Sequence, residues 1–195
     1  MATSTIGLVE PESIAEQLST GGAISLRISA SEPLSAHMFG VSMTERLTQI
    51  EHVCESARDI GVQVRIYLHA AFSCPYAGPT QAQAVAGLAA KLLRLGGGEF
   101  FLLDDCATAT PDNVRYRVEV LTTQVARGRM GFLANANNLD TDALINQAAS
   151  MGIKKFAGAV LPGLSLPNIS TPYTAITLAQ LIEILASHSL HNQDS

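Results

Sequence analysis

With 195 residues, 47% of them hydrophobic and 15% charged, the chain carries enough apolar material for one full-sized core, read as one domain over 1–190 with a disordered tail at 191–195. Its 17 acidic residues outnumber 12 scattered Lys and Arg, giving a net charge of −5, which argues against nucleic acid because phosphate binding needs concentrated positive surface. Cys54, Cys74 and Cys106 fit no metal spacing and no disulfide framework. No run reaches the roughly 20 apolar residues of a membrane span, and Met1 to Glu10 lacks the positive charge and apolar core of a leader, so a soluble cytoplasmic protein is expected.

In chain order, Thr5–Val9 reads as a strand, and Gly21-Gly22 as a left-handed helix end before a second strand, Ala23–Ser29. A loop with Ser31, Glu32 and His37 follows. Ser42 and Glu45 have the capping-box spacing, and Leu47, Ile50, Val53, Ala57 and Ile60 then form an apolar helix face with Cys54 on the same side. Val62–His69 is the third strand, running into the loop Ala71-Phe-Ser-Cys-Pro-Tyr-Ala-Gly78. Thr80 with Gln83 reads as the next cap, and Val85, Leu88, Ala89, Leu92 and Leu95 as the next face. Gly96-Gly97-Gly98 precedes a strand, Glu99–Asp104. Phosphate cradles follow a strand and open a helix, so this glycine run is not one. Thr110-Pro111 supplies a cap with proline at the first helical position. Arg129–Ala134 is a strand, Leu144, Ile145, Ala148 and Met151 a helix face, and Ile153–Val160 the sixth strand. Thr177 with Gln180 caps a last helix, and His188–Ser195 reads as a frayed tail.

Six βα units imply a parallel sheet with helical crossovers, doubly wound or closing as a barrel. A complete eight-unit barrel typically needs about 250 residues, so an incomplete TIM-type (β/α) barrel of about six units is expected. Its unpaired edges predict a homo-oligomer or a partner completing the barrel.

Chemistry in such folds gathers beyond the carboxyl ends of the strands. Asp104 and Asp105 end one strand there, as candidates for a perturbed carboxylate pair. Neighbouring residues on a strand point to opposite faces, so Asp104 equally suits a loop cap. Cys74 reads either as a nucleophile with His69 near it in space or as a structural thiol in a turn fixed by Pro75. Asn135, Asn137 and Asn138 suit polar ligand contacts or turn chemistry, and His37, with Ser31 and Glu32, a ligand contact or an exposed loop.

Ile28-Ser-Ala-Ser-Glu-Pro-Leu-Ser35, Cys74-Pro-Tyr-Ala-Gly78, Asp104 and Thr110-Pro111, in that order and spacing, resemble the HMG-CoA lyase family, metal-dependent lyases on a TIM barrel with an Arg-Asp signature on the first strand. The resemblance runs from about Leu8 to Leu185 and corresponds to the third through eighth βα units of that barrel. It implies metal-dependent cleavage of 3-hydroxy-3-methylglutaryl-CoA to acetyl-CoA and acetoacetate, with magnesium or manganese held by an Asp, a His-x-His pair and an Asn. On this chain it implies Asp104 and Cys74 as catalytic candidates, Ser31, Glu32 and Asn135 as substrate contacts, and Asn168 as the one remnant ligand. The Arg-Asp signature has no counterpart, since Arg58-Asp59 lies at a helix end. The His-x-His pair falls on Leu133 and Asn135, and Leu166 stands where a second reactive Cys is expected. Two functions follow as expectations: an acyl-CoA lyase with a rebuilt site, and a degenerate relative acting as a binding or assembly subunit.

Overall fold

The computed structural model describes residues 23–158 and 174–191. Thr5–Val9, Gly21-Gly22, the end of the sixth strand and the stretch with Leu166 and Asn168 lie outside them.

Five parallel strands form one sheet: β1 (Ile24–Ser29), β2 (Val64–His69), β5 (Glu99–Leu103), β6 (Met130–Leu133) and β7 (Lys155–Phe156), in that spatial order. Successive neighbours in parallel order, each crossover carrying helix, make an open segment of a (β/α) barrel. The helices are α1 (Glu32–Phe39), α2 (Met43–Asp59), α3 (Ala82–Leu95), α4 (Pro111–Leu121), α5 (Thr141–Ser150) and α6 (Leu178–His191). Among the described residues no helix is long and apolar enough to cross a membrane.

The two faces of the sheet follow from strand alternation. One face, Ile24, Leu26, Ile28, Val64, Ile66, Leu68, Phe100, Leu102, Met130 and Phe132, packs on the helices with Ile50, Val53, Val85, Leu88, Leu92, Val114, Val118, Leu144 and Ile145. Burying each such Leu or Ile contributes about 1.5–3 kcal/mol. The opposite, inner face is layered. At the amino ends Glu99 accepts from Arg65 at 2.7 Å and pairs with Lys155 at 2.8 Å, and burial is outweighed by these two cations, which hold its carboxyl below the usual range. Above them Tyr67 and Phe101 stack with centroids 5.1 Å apart, in a cluster with Leu103 and Leu133. Gly131 has no side chain because a Cβ there would overlap the Phe101 ring. Beyond this layer lie the carboxyl ends and their polar residues.

The Ser42–Glu45 capping box is present in both directions, with Glu45 Nα–H donating to Ser42 Oγ at 3.1 Å. The Thr177–Gln180 pair is likewise reciprocal, and Thr110 Oγ1 accepts from Asn113 N–H at 3.2 Å ahead of Pro111. Gly96 ends α3 at φ +112°, left-handed as expected.

Several expectations are corrected. Glu32 to Phe39 is helical, so His37 stands on α1 and not in a loop. Thr80 does not cap α3. Its N–H donates to Phe72 and its carbonyl accepts from Arg117, because a small antiparallel ladder of β3 (Ser73–Cys74) and β4 (Gly78–Pro79) carries the chain past it. Ile60 follows α2 and is 53% exposed. The last helix runs to His191, past the expected start of fraying at His188.

Candidate functional site

The residues singled out from the sequence separate into three groups at the carboxyl end of the sheet. Asp104 turns toward the helices and holds the loop after β5. Its Oδ1 accepts from the N–H groups of Thr108 and Ala109, both at 3.1 Å, and its Oδ2 from Asn138 Nδ2 at 2.7 Å. Burial pushes its carboxyl above the usual range and the neighbouring Asp105 charge adds to this, against the opposing pull of those three donors.

Cys74 meets Ser31 and not His69. Ser31 Oγ–H donates to Cys74 Sγ at 3.0 Å, and Tyr76 N–H approaches the same sulfur at 3.4 Å, beside Leu34, Met38 and Ala70. Two of the expected site residues, Ser31 and Cys74, are thus brought together. Glu32 is not with them: its carboxylate accepts from Met43 N–H at 3.1 Å and caps the start of α2. Cys54 is buried on α2, as its helix face implied, and its thiol is pushed up to about 11 by burial. Cys106 also rises to about 11, burial first and Asp105 next. Neither supplies thiolate at neutral pH.

The third group was only half legible in the sequence. Arg65, Tyr67 and His69 share one face of β2, and Phe101, Leu103 and Asp105 share that face of β5 and its extension. His69 and Asp105 therefore meet across two adjacent parallel strands. His69 Nδ1 lies 2.7 Å from Asp105 Oδ1, Ala70 N–H donates to Asp105 Oδ2, and both side chains are 0% exposed. Ala70 takes a left-handed φ of +52° to make that contact. His69 Nε2 has no hydrogen-bond partner among the described residues. Asn135, next along the sheet edge, donates from Nδ2 to the Asp105 carbonyl at 3.4 Å and accepts at Oδ1 from Asn137 N–H at 3.0 Å. The missed signal was the period of two: His69 is in phase with Tyr67, and Asp105, not Asp104, with Phe101.

The residues present do not fit the family's metal. Leu133, at the first position of the implied His-x-His pair, is buried against Tyr67, Phe101 and Leu103 and has no donor atom. Asn135, at the second, already uses both ends of its amide within the protein. Among the described residues, no three His, Cys, Asp or Glu side chains come together as a metal-binding group. A groove of about 450 Å³, lined by Arg58, Val64, Glu99, Arg129 and Lys155, lies at the opposite, amino end of the strands.

No family model matches the chain. The chain is 31% identical over 133 residues to a 3-hydroxy-3-isohexenylglutaryl-CoA/hydroxy-methylglutaryl-CoA lyase of Pseudomonas aeruginosa, covering 67% of this chain and 44% of that one. It is 29% identical over 131 residues to the cytoplasmic 3-hydroxy-3-methylglutaryl-CoA lyase of Rattus norvegicus, covering 67% of this chain and 38% of the relative. The chain therefore spans about two fifths of the length of these curated relatives. The crystal structure of the HMG-CoA lyase from Bacillus subtilis superposes with a TM-score of 0.83 at 23% identity, over 93% of this chain and 61% of that one. That from Brucella melitensis gives 0.82 at 24%, over 90% and 62%. Sequence and fold agree: this chain belongs to the HMG-CoA lyase family and forms an open part of its barrel.

Proposed function

We propose that this chain is an acyl-thioester-binding homologue of the 3-hydroxy-3-methylglutaryl-CoA lyases, a binding or assembly subunit that does not itself hold the metal for the family reaction. That reaction, cleavage of 3-hydroxy-3-methylglutaryl-CoA to acetyl-CoA and acetoacetate, is the chemistry its ancestry points to. The observation that carries the reading is Leu133, buried in an apolar layer where the resemblance calls for an imidazole. A hard cation needs oxygen or imidazole donors, and hydrocarbon gives none. The polar end of the sheet, with Ser31 beside Cys74 and His69 beside Asp105, supports ligand binding instead. Residues 1–190 are taken as one domain, located in the cytoplasm. The described sheet ends at β1 and β7, and association with a second copy or with a partner bearing further barrel strands is proposed to cover those edges; sedimentation showing a dilute, monodisperse monomer contradicts this.

A second reading, an active lyase with a rebuilt site, is favoured by the His69–Asp105 pair, which puts a base at the correct end of the barrel. Turnover of 3-hydroxy-3-methylglutaryl-CoA in magnesium or manganese separates the two. The first reading expects none; metal-dependent turnover that Asp104→Asn abolishes establishes the second.

A further inference from the structure

We infer that His69, oriented by Asp105, is the hydrogen-bond acceptor for the 3-hydroxyl of a bound 3-hydroxyacyl thioester; the inference rests on the acyl-thioester reading above and assigns the contact that selects the ligand. Three independent features of the pair point this way. The first is position. His69 and Asp105 end adjacent parallel strands on the inner face, and the stacked Tyr67 and Phe101 close that face on the amino-terminal side.

The second is the fixed tautomer. Asp105 Oδ2 accepts from Ala70 N–H, and Oδ1 lies 2.7 Å from His69 Nδ1. A carboxylate that accepts at both oxygens makes Nδ1 the donor, so that the lone pair of an uncharged ring falls on Nε2. Ala70 at φ +52° shows that the backbone departs from its favoured region to maintain this clamp.

The third is Nε2 itself, fully buried and without a hydrogen-bond partner among the described residues. Most buried side-chain polar atoms are satisfied within a protein, so an open nitrogen at this end of the sheet marks a place for a donor. A lone pair takes a donor, so neither a thioester carbonyl nor a carboxylate satisfies it. Within the acyl group, the 3-hydroxyl is the donor that such a ligand offers.

The test is calorimetric titration of the full chain with two probes, 3-hydroxybutyryl-CoA and butyryl-CoA, which differ in that hydroxyl. Wild type is expected to prefer the hydroxylated probe about 10-fold, the value of one buried hydrogen bond. His69→Phe should reduce the preference to below about 2-fold, read as the ratio of the two affinities within the variant. Asp105→Asn, whose amide donates to Nδ1 and moves the ring proton to Nε2, should also abolish it. Nitrogen NMR of the imidazole gives a readout independent of the variants' folding. Nε2 should be unprotonated in wild type and shift with 3-hydroxybutyryl-CoA alone. Equal binding of both probes by wild type, or a protonated Nε2 that does not respond, overturns the assignment and leaves acyl-thioester binding standing. Binding of neither probe overturns both.

Discussion

Asp105→Ala isolates the buried pair most cleanly. The carboxylate satisfies two donors in a fully buried position, His69 Nδ1–H and Ala70 N–H. Each donor left unsatisfied there costs about 1–3 kcal/mol, and a buried pair broken from one side typically costs about 3–5 kcal/mol. The expected loss is therefore about 4 kcal/mol. With a urea m-value of about 2–3 kcal/mol/M for a chain of this size, the unfolding midpoint should fall by about 1.3–2 M. The double variant His69→Phe with Asp105→Leu should recover much of that loss, because an apolar replacement of both partners leaves no orphan. Asp112→Ala is the control: its side chain is 89% exposed and its contact to Arg115 is 3.4 Å, so about 0.5 kcal/mol or less is at stake. If Asp105→Ala unfolds within that control range, the pair does not bind its partners as described, and the reasoning from burial and hydrogen bonding fails.

Gly131→Ala should destabilise by about 1–3 kcal/mol in thermal melts, since the added methyl overlaps Phe101, which is itself stacked on Tyr67; an unchanged melting temperature would mean the aromatic layer is loose. Asp104 has a folded value raised above 3.8 by burial. Its favourable contribution is full below the unfolded value and lost as pH rises through the folded one. Urea midpoints measured from acid to neutral pH should show that decline in wild type and lack it in Asp104→Asn; identical pH profiles would contradict it. Cys54 and Cys106, with thiols pushed up to about 11, should resist iodoacetamide at pH 7.5 in the folded chain and react in urea. Rapid labelling in the native protein would contradict the burial of Cys54 or, for the half-buried Cys106, its raised thiol.

The alternation of strand and helix was readable because each element carried its own period. The Ser42–Glu45 and Thr110–Pro111 helix starts stand where their local chemistry placed them. Failures came where tertiary contacts overrode local signals. Thr80 looked like a cap but follows the β3–β4 ladder, its N–H donating to Phe72, and α1, at eight residues, is too short to show a period. The site was legible as a location and less so as a constellation. Adjacent carboxylates drew the eye to Asp104, while the partner of His69 is Asp105, one residue further and on the other face. Phase along each strand was available, but the register that brings β2 against β5 arises only when the sheet forms. Nor does sequence spacing reveal that Ser31 reaches Cys74 across 43 positions.

The most direct test of the central claim is calorimetric titration of the chain with 3-hydroxy-3-methylglutaryl-CoA, once in EDTA and once in manganese. With Leu133 buried and both ends of the Asn135 amide engaged, the expected result is saturable binding of the same affinity in both solutions. Binding that appears only with manganese, or none in either solution, would contradict the account.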